Sequence, residues 1–221
     1  MADRFDNGES NLARYATRFN AAEINSSFYR PHKSETYARW AASVPDGFRF
    51  AVKLPKAITH ERRLVDCLEP VATFAAQTGE LGNRRGPVLV QLPPTLVFDA
   101  QIAARFFDGL RHALGDAAIV CEPRHASWFA QDADQALIHH HIARVAADPA
   151  KVPEAANPGG WPSLRYTRLH GSPRIYYSSY DATTIARLAD EAAASDVESW
   201  TIFDNTASGA AIENALAMIE A

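Results

Sequence analysis

The sequence predicts an α/β fold, a TIM-like (β/α) barrel of parallel strands, on three observations. Short apolar runs alternate with amphipathic segments at a spacing of roughly 30 residues, the length of one strand–helix unit. Several runs, Val88-Leu89-Val90 and Ala117-Ala118-Ile119-Val120 among them, are continuously apolar, as strands covered on both faces should be. No GxGxxG turn follows the first strand, which favours a barrel over a dinucleotide-binding open sheet.

The elements follow in order. Leu12, Tyr15 and Phe19 recur at i, i+3 and i+7 behind Ser10, a good N-cap type, and mark the first helix. Residues 21–25 form the first strand. Tyr37, Trp40, Ala41 and Val44 then make a helical face after Ser34, stopped by Pro45-Asp46-Gly47. The second strand is 48–54, and Leu64, Leu68, Val71 and Ala75 carry the helix behind it, before Gly79 and Gly82. Strand 88–92 precedes the stripe Ile102, Phe106 and Leu110, which ends at Gly115. Strands 117–122, 142–147 and 164–170 follow. Ile185, Leu188 and Ala192 form the next helix, 200–203 the seventh strand, and Ile212, Ala215, Leu216 and Ile219 the last helix. Residues 149–162 break the pattern, with four prolines, Gly159-Gly160 and no helical period. They read as a long loop in place of a helix, and loops of that length often carry function. Nothing marks a linker or a repeat, so residues 1–221 read as one domain.

Composition narrows the function classes. The 221 residues are 47% hydrophobic, enough for one sizeable core, and the aromatic content and 22% charge argue against disorder. Twenty-two basic against 26 acidic residues give a net charge of −4, which argues against coating nucleic acid by bulk charge. Cys67 and Cys121 stand far apart and support neither a disulfide framework nor a cysteine zinc site. No apolar run approaches the ~20 residues that span a bilayer, and the first ten residues lack a signal-peptide core. The expectation is a soluble, cytoplasmic protein with no membrane partner.

In a parallel barrel, chemistry collects where strands end. The first strand ends in Glu23-Ile24-Asn25, the second in Lys53 with His60 beyond, the third in Gln91. The fourth ends in Glu122-Pro-Arg124-His125, the fifth in Asp148, the sixth in Arg168-Leu-His170, and the seventh in Asp204-Asn205. Residues two apart on a strand share a face, so Glu23 with Asn25, Glu122 with Arg124, and Arg168 with His170 are pairs. Each has a bland reading too. Glu122 and Arg124 can simply pair with one another, Lys53 can snorkel, His170 can be a satisfied loop histidine, and Asn25, Gln91 and Asn205 can tie down strand ends. Seven polar strand ends together outweigh seven separate accidents. Elsewhere, His139-His140-His141 reads as helix surface, Cys121 as core, and Arg62-Arg63 and Arg84-Arg85 as solvated charge. Tyr176, Tyr177 and Tyr180 read equally as a stacking lid or as loop packing.

These residues carry a resemblance. Glu23-Ile-Asn-Ser-Ser-Phe-Tyr29, Phe48-Arg-Phe-Ala-Val-Lys53 with Thr59-His60, Gln91-Leu-Pro-Pro94, Glu122-Pro-Arg-His-Ala-Ser-Trp128, Arg168-Leu-His-Gly171 and Trp200-Thr-Ile-Phe-Asp-Asn205 resemble the domain-of-unknown-function 72 family, also called YecE-like. The resemblance runs over about residues 10–220. It implies a TIM-barrel-like fold, similar in outline to xylose isomerase and apurinic endonuclease barrels, with no assigned reaction. It also implies site residues at Glu23, Asn25, Lys53, His60, Gln91, Glu122, Arg124, His125, His170 and Asn205. Family members usually open with a strand and loop like Gly-Thr-Ser-Gly-Trp; here only Met1–Glu9 precede the first helix. The chain therefore reads as a barrel lacking that first strand, with seven strands. The opening would be closed by narrowing or by a second copy of the chain, because bare strand edges invite association.

Lys53, Arg124, Arg168 and the histidines outnumber the carboxylates at the strand ends, and cations in such a place favour a small anionic, phosphate-containing ligand. The first expectation is a hydrolase or lyase acting on a phosphorylated or phosphodiester substrate. Glu23, Glu122 and His170 are the candidate catalytic groups, with a glutamate as base and His170 as acid. Asn25, Lys53, His60, Gln91, Arg124, His125, Arg168, Tyr177 and Asn205 are the candidate ligand-binding residues. A non-catalytic nucleotide or nucleic-acid binding module, with the tyrosines stacking a base, is the alternative. A metal-dependent sugar isomerase, epimerase or endonuclease using Glu23, Glu122, Asp148 and His170 ranks lower, since Lys53 and Arg124 would repel a divalent cation. No cofactor and no metal ligand is assigned.

Overall fold

The computed structural model describes residues 4–221. The chain divides into two compact units, Met1–Gln91 with Gln101–Ile119 and Leu92–Ala100 with Val120–Ala221.

The first unit opens with α1 (Asn11–Tyr15), whose Ser10 Oγ accepts the Ala13 N–H at 3.0 Å. Strands β1 (Ala21–Ile24), β2 (Arg49–Lys53) and β3 (Arg85–Gln91) are parallel neighbours in that order, with Ile24 opposite Val52 and Lys53 opposite Leu89. Val52, Val88, Leu89 and Val90 are wholly buried, as an apolar run without alternation requires. Helices α2 (Ser26–Tyr29), α3 (Ser34–Ala42), α4 (Leu68–Gly79) and α5 (Ala100–Leu114) fill the connections. Phe106, Phe107 and Leu110 are the buried face of α5, and Val71, Phe74 and Ala75 that of α4. Leu64 does not belong to α4 as its spacing predicts. A π-helical turn, Ala57–Glu61, follows β2, and then Arg63, Leu64 and Asp66 adopt φ of +52°, +71° and +52°. Non-glycine residues seldom enter this left-handed region, so the segment is locally strained.

The second unit holds β4 (Ile119–Glu122) from Val120 onward, β5 (Ile142–Arg144) and the two-residue β7 (Gly159–Gly160), antiparallel to β5. It also holds a parallel sheet of β6 (Ala146–Asp148), β8 (Leu164–Leu169) and β9 (Glu198–Phe203), with β8 in the middle. The single fifth strand expected at 142–147 is thus two. Val145 marks the break: its N–H bonds to Cys121 O at 2.8 Å, whereas Ala146 pairs with Thr167 of β8. Strand partners change there, and the ladders form separate sheets that do not close into the expected barrel. The described residues form an α/β fold of mostly parallel sheets with nine strands, not seven.

The 149–162 segment lacks an α-helix, as its prolines demand, but is ordered by a 3-10 turn at Pro153–Ala156 and by β7. Gly160 has φ +63°, and a Cβ there would sit 2.5 Å from Ile142 O, so the pairing needs glycine. Helices α6 (Gln131–His139), α7 (Ala182–Ala193) and α8 (Ala210–Glu220) complete the unit. Asp181 caps α7 by accepting the Thr184 N–H at 2.7 Å. His140 is 9% exposed, not helix surface; it follows α6 and its Nδ1–H donates to Ala136 O at 2.7 Å. Cys121 is core as expected, with burial pushing its thiol pKa up. Residues 4–9 contain no strand, and the rest of the 1–9 segment expected to lack one lies outside the described residues.

Candidate functional site

Three strand ends in the second unit converge on one charged cluster. Glu122 closes β4, Arg168 stands near the end of β8, and His170 and Asp204 directly follow β8 and β9. The ladder fixes their spacing: Asp204 N–H bonds to Leu169 O at 2.8 Å, and His170 N–H to Asp148 O at 2.7 Å. Period-two alternation turns Arg168 and His170 to the same side.

Arg168 is wholly buried and divides its guanidinium between two carboxylates, Nη1 to Glu122 Oε2 at 2.7 Å and Nη2 to Asp204 Oδ2 at 2.9 Å. His170 bridges the same pair, with Nδ1 3.0 Å from Asp204 Oδ2 and Nε2 3.2 Å from Glu122 Oε1. Arg124 donates Nε and Nη2 to Glu122 Oε1, at 3.1 and 2.9 Å. The bland reading of Glu122 with Arg124 is therefore true as far as it goes, but that pair is one edge of a larger network.

The pKa directions follow. Burial alone would push the Glu122 carboxyl up, but Arg168, the His170 hydrogen bond and Arg124 outweigh it and hold it well below the usual carboxylate range. Burial pulls the His170 imidazolium down, but hydrogen bonds to Asp204 and Glu122 raise it above its ordinary 6.5. An imidazolium donates at both nitrogens, which matches a ring held between two carboxylates.

The cluster opens on a cavity of about 130 Å³, lined by Glu122, Pro123, Arg124, Ala147, Pro149, Lys151, Ala155, His170, Ile175 and Tyr176. Arg124 Nη1 makes no hydrogen bond to another described residue, and the Arg124 side chain is 22% exposed. Lys151 is an exposed cation on the same wall, supplied by the helix-free 149–162 segment.

Asp204 and Lys151 are absent from the sequence-derived site, and Tyr176 enters it only as one of three tyrosines read equally as a stacking lid or as loop packing. Asp204 was visible as a strand end beside Asn205, whereas Lys151 sits in a segment without periodicity. Of the adjacent tyrosines it is Tyr176, not Tyr177, that lines the cavity; the Arg174 guanidinium stacks 3.9 Å over the Tyr177 ring. Asn205 is buried, and its amide donates to Ser178 O and Asn214 Oδ1, both at 2.9 Å, which anchors the 171–180 loop. His125 caps the turn Ala126–Phe129, its Nδ1 accepting from Ser127 N–H and Oγ–H at 3.2 and 2.8 Å.

Glu23, Asn25, Lys53, His60 and Gln91 belong to the first unit. There Lys53 is 7% exposed, its Nζ 4.2 Å from the Phe28 ring centroid, and the His60 ring meets Phe28 edge-on at 5.0 Å. Ser27 Oγ–H donates to Lys53 O at 2.6 Å, tying the turn after β1, with Asn25 at its head, to the end of β2. Glu23 lies half-buried opposite Ala51, and Gln91 is buried at the end of β3. Lys53 and His60 are thus brought together on one aromatic ring.

A divalent cation would fit poorly at Glu122, whose two oxygens already face two guanidinium groups and an imidazole. Asp148, named with Glu122 in the metal-dependent alternative, instead accepts the Tyr180 hydroxyl at 2.7 Å. Among the described residues no cluster of three or more His, Cys, Asp or Glu is arranged to hold a metal ion, and no helix is long and apolar enough to cross a membrane.

The chain matches the family described as "Protein of unknown function DUF72" over residues 3–221. It is 31% identical to UPF0759 protein YecE of Escherichia coli (strain K12) over 156 residues, 68% of this chain and 56% of that protein. It is 27% identical to UPF0759 protein YunF of Bacillus subtilis (strain 168) over 127 residues, 55% of this chain and 45% of that protein. The chain thus spans about half the length of these curated relatives. A crystal structure of a DUF72 family protein from Enterococcus faecalis V583 shares the fold with a TM-score of 0.79 at 24% identity, covering 95% of this chain and 92% of that one. Another, from Thermotoga maritima MSB8, matches at 0.74 and 23% identity over 91% and 84%. Strand-end motifs, fold and family match agree, and the chain belongs to the DUF72 family.

Proposed function

We propose that the cavity beside Glu122, Arg124 and His170 binds the phosphate group of a small phosphorylated or phosphodiester ligand and assists proton transfer on it. One observation carries the reading: Arg124 is oriented by two hydrogen bonds to Glu122 yet keeps Nη1 unused beside a cavity. A guanidinium fixed in this way is pre-organised for an oxyanion, and Lys151 adds a second charge. At about 130 Å³ the cavity suits one phosphate group better than a large cofactor.

His170 is the acid in this reading. Asp204 at Nδ1 sets the ring's orientation and Glu122 at Nε2 stabilises its charged form. As water attacks phosphorus and the ester P–O bond breaks, His170 passes its Nε2 proton from the hydrogen bond with Glu122 to the leaving oxygen and so protonates it. It recovers a proton from the attacking water, so the imidazole ends as it began. Glu122, held ionised, is better suited to orienting Arg124 and His170 than to abstracting a proton.

Thermal unfolding with inorganic phosphate, paired with turnover of bis(p-nitrophenyl) phosphate, tests the reading. Phosphate should protect the wild type and not Arg124→Ala, and His170→Asn should lose turnover while keeping protection. Protection without turnover in the wild type would favour the non-catalytic binding module. No protection at all would remove the anion site.

A further inference from the structure

Deepening that reading, and resting on it, we propose that the ligand is a nucleoside monophosphate whose base stacks on Tyr176, making Tyr176 the specificity-determining residue. Tyr176 lines the same cavity as Arg124, Lys151 and His170, and its ring centroid lies 6.1 Å from that of His170. A planar group on that ring would share the cavity with a phosphate held by Arg124.

Two independent observations separate this ring from ordinary loop packing. The first is exposure. Tyr176 and Tyr177 are 44% and 45% exposed, so neither is spent on the core, and an aromatic face left in water is stabilised by whatever covers it. The second is that the exposed ring stands on a rigid base. Tyr176 has φ +69°, a conformation disfavoured for any residue with a Cβ. It is held there by its N–H to His170 O and by its own carbonyl, which accepts the Ala207 N–H at 3.0 Å. The flanking chain is pinned as well: Gly171 N–H donates to Tyr180 Oη, Asn205 Nδ2 to Ser178 O and Asn214 Nδ2 to Ser179 Oγ, each at 2.9 Å. A mobile loop would give up binding energy to ordering; this one is ordered before any ligand arrives.

A mononucleotide fits better than a nucleic-acid strand. The cavity has room for about one phosphate, and a net charge of −4 argues against holding a strand by bulk charge.

The test compares inorganic phosphate, ribose 5-phosphate, the common nucleoside monophosphates and a short oligonucleotide by calorimetry, on wild type, Tyr176→Phe and Tyr176→Ala. A monophosphate should bind roughly tenfold or more tighter than ribose 5-phosphate. Tyr176→Phe should keep that advantage, and Tyr176→Ala should abolish it without weakening ribose 5-phosphate. If phosphate and ribose 5-phosphate bind but the base adds nothing, or Tyr176→Ala keeps the advantage, this inference fails while the anion site stands. Absence of binding by every phosphate probe overturns both. An oligonucleotide binding tighter than any monophosphate replaces the mononucleotide with a nucleic-acid strand.

Discussion

Arg168 and Glu122 meet at 2.7 Å with side chains 0% and 2% exposed, and the same guanidinium reaches Asp204 at 2.9 Å. A buried charge is tolerable only when compensated, so each member of this network is there on condition of the others.

Arg168→Met should therefore cost about 3–5 kcal/mol of stability, because it leaves the buried Glu122 and the half-buried Asp204 with one fewer cation. Urea unfolding measures it. Adding Glu122→Gln to Arg168→Met should recover part of the loss. A double variant as unstable as the sum of the two single changes would show that the pair does not interact.

His170 makes stability pH-dependent. Its pKa is raised on folding, so its contribution is fully present below the ordinary 6.5 and is lost as pH rises from there through the folded value. Wild-type stability should fall across that window, and His170→Asn should flatten the fall. Glu122 acts at the other end: its folded pKa lies well below 4.5, so its contribution is full above 4.5 and is lost as pH falls through the folded value. Glu122→Gln should flatten the acid limb. Unfolding midpoints across pH for the two variants check both signs.

Tyr176→Gly and Tyr176→Ala both delete the ring, but only glycine adopts φ +69° without strain. The glycine variant should be more stable than the alanine variant by about 1 kcal/mol. Equal denaturation midpoints would mean that the backbone there is not strained.

Asn205→Ala should free the loop more than the sheet. Its lost donors leave Ser178 O and Asn214 Oδ1 with fewer partners, at a cost of about 1–3 kcal/mol. Hydrogen exchange should accelerate first in residues 171–180; uniform acceleration across β8 and β9 would contradict the anchoring role.

Much of this was legible in the chain itself. Period and apolar runs located the seven strand segments and the faces of α5 and α7, because burial on a regular element writes its own spacing into the sequence. On α8 the buried residues are Ala211, Asn214 and Leu216, while Ile219 of the expected stripe is exposed. The same alternation paired Arg168 with His170 and Glu122 with Arg124, since residues two apart on a strand share a side. Leu64 misled for the converse reason: its spacing suits a helix, while its backbone is held at φ +71° by a turn that no local pattern announces.

Residue types and spacing determined which strand ends carry charge, that 149–162 forms no α-helix, and that the sheets are mostly parallel. Tertiary structure alone decided the rest. It split 142–147 at Val145, where hydrogen bonding passes from Cys121 to β8. It put Asp204 rather than Asn205 against His170, and brought Lys151 and Tyr176 to the cavity. Such choices depend on which partner a backbone group or carboxylate meets across 34 or 46 residues of chain, as in His170 with Asp204 or Arg168 with Glu122. Local periodicity says which face a residue occupies; only the register of distant strands says what waits on that face.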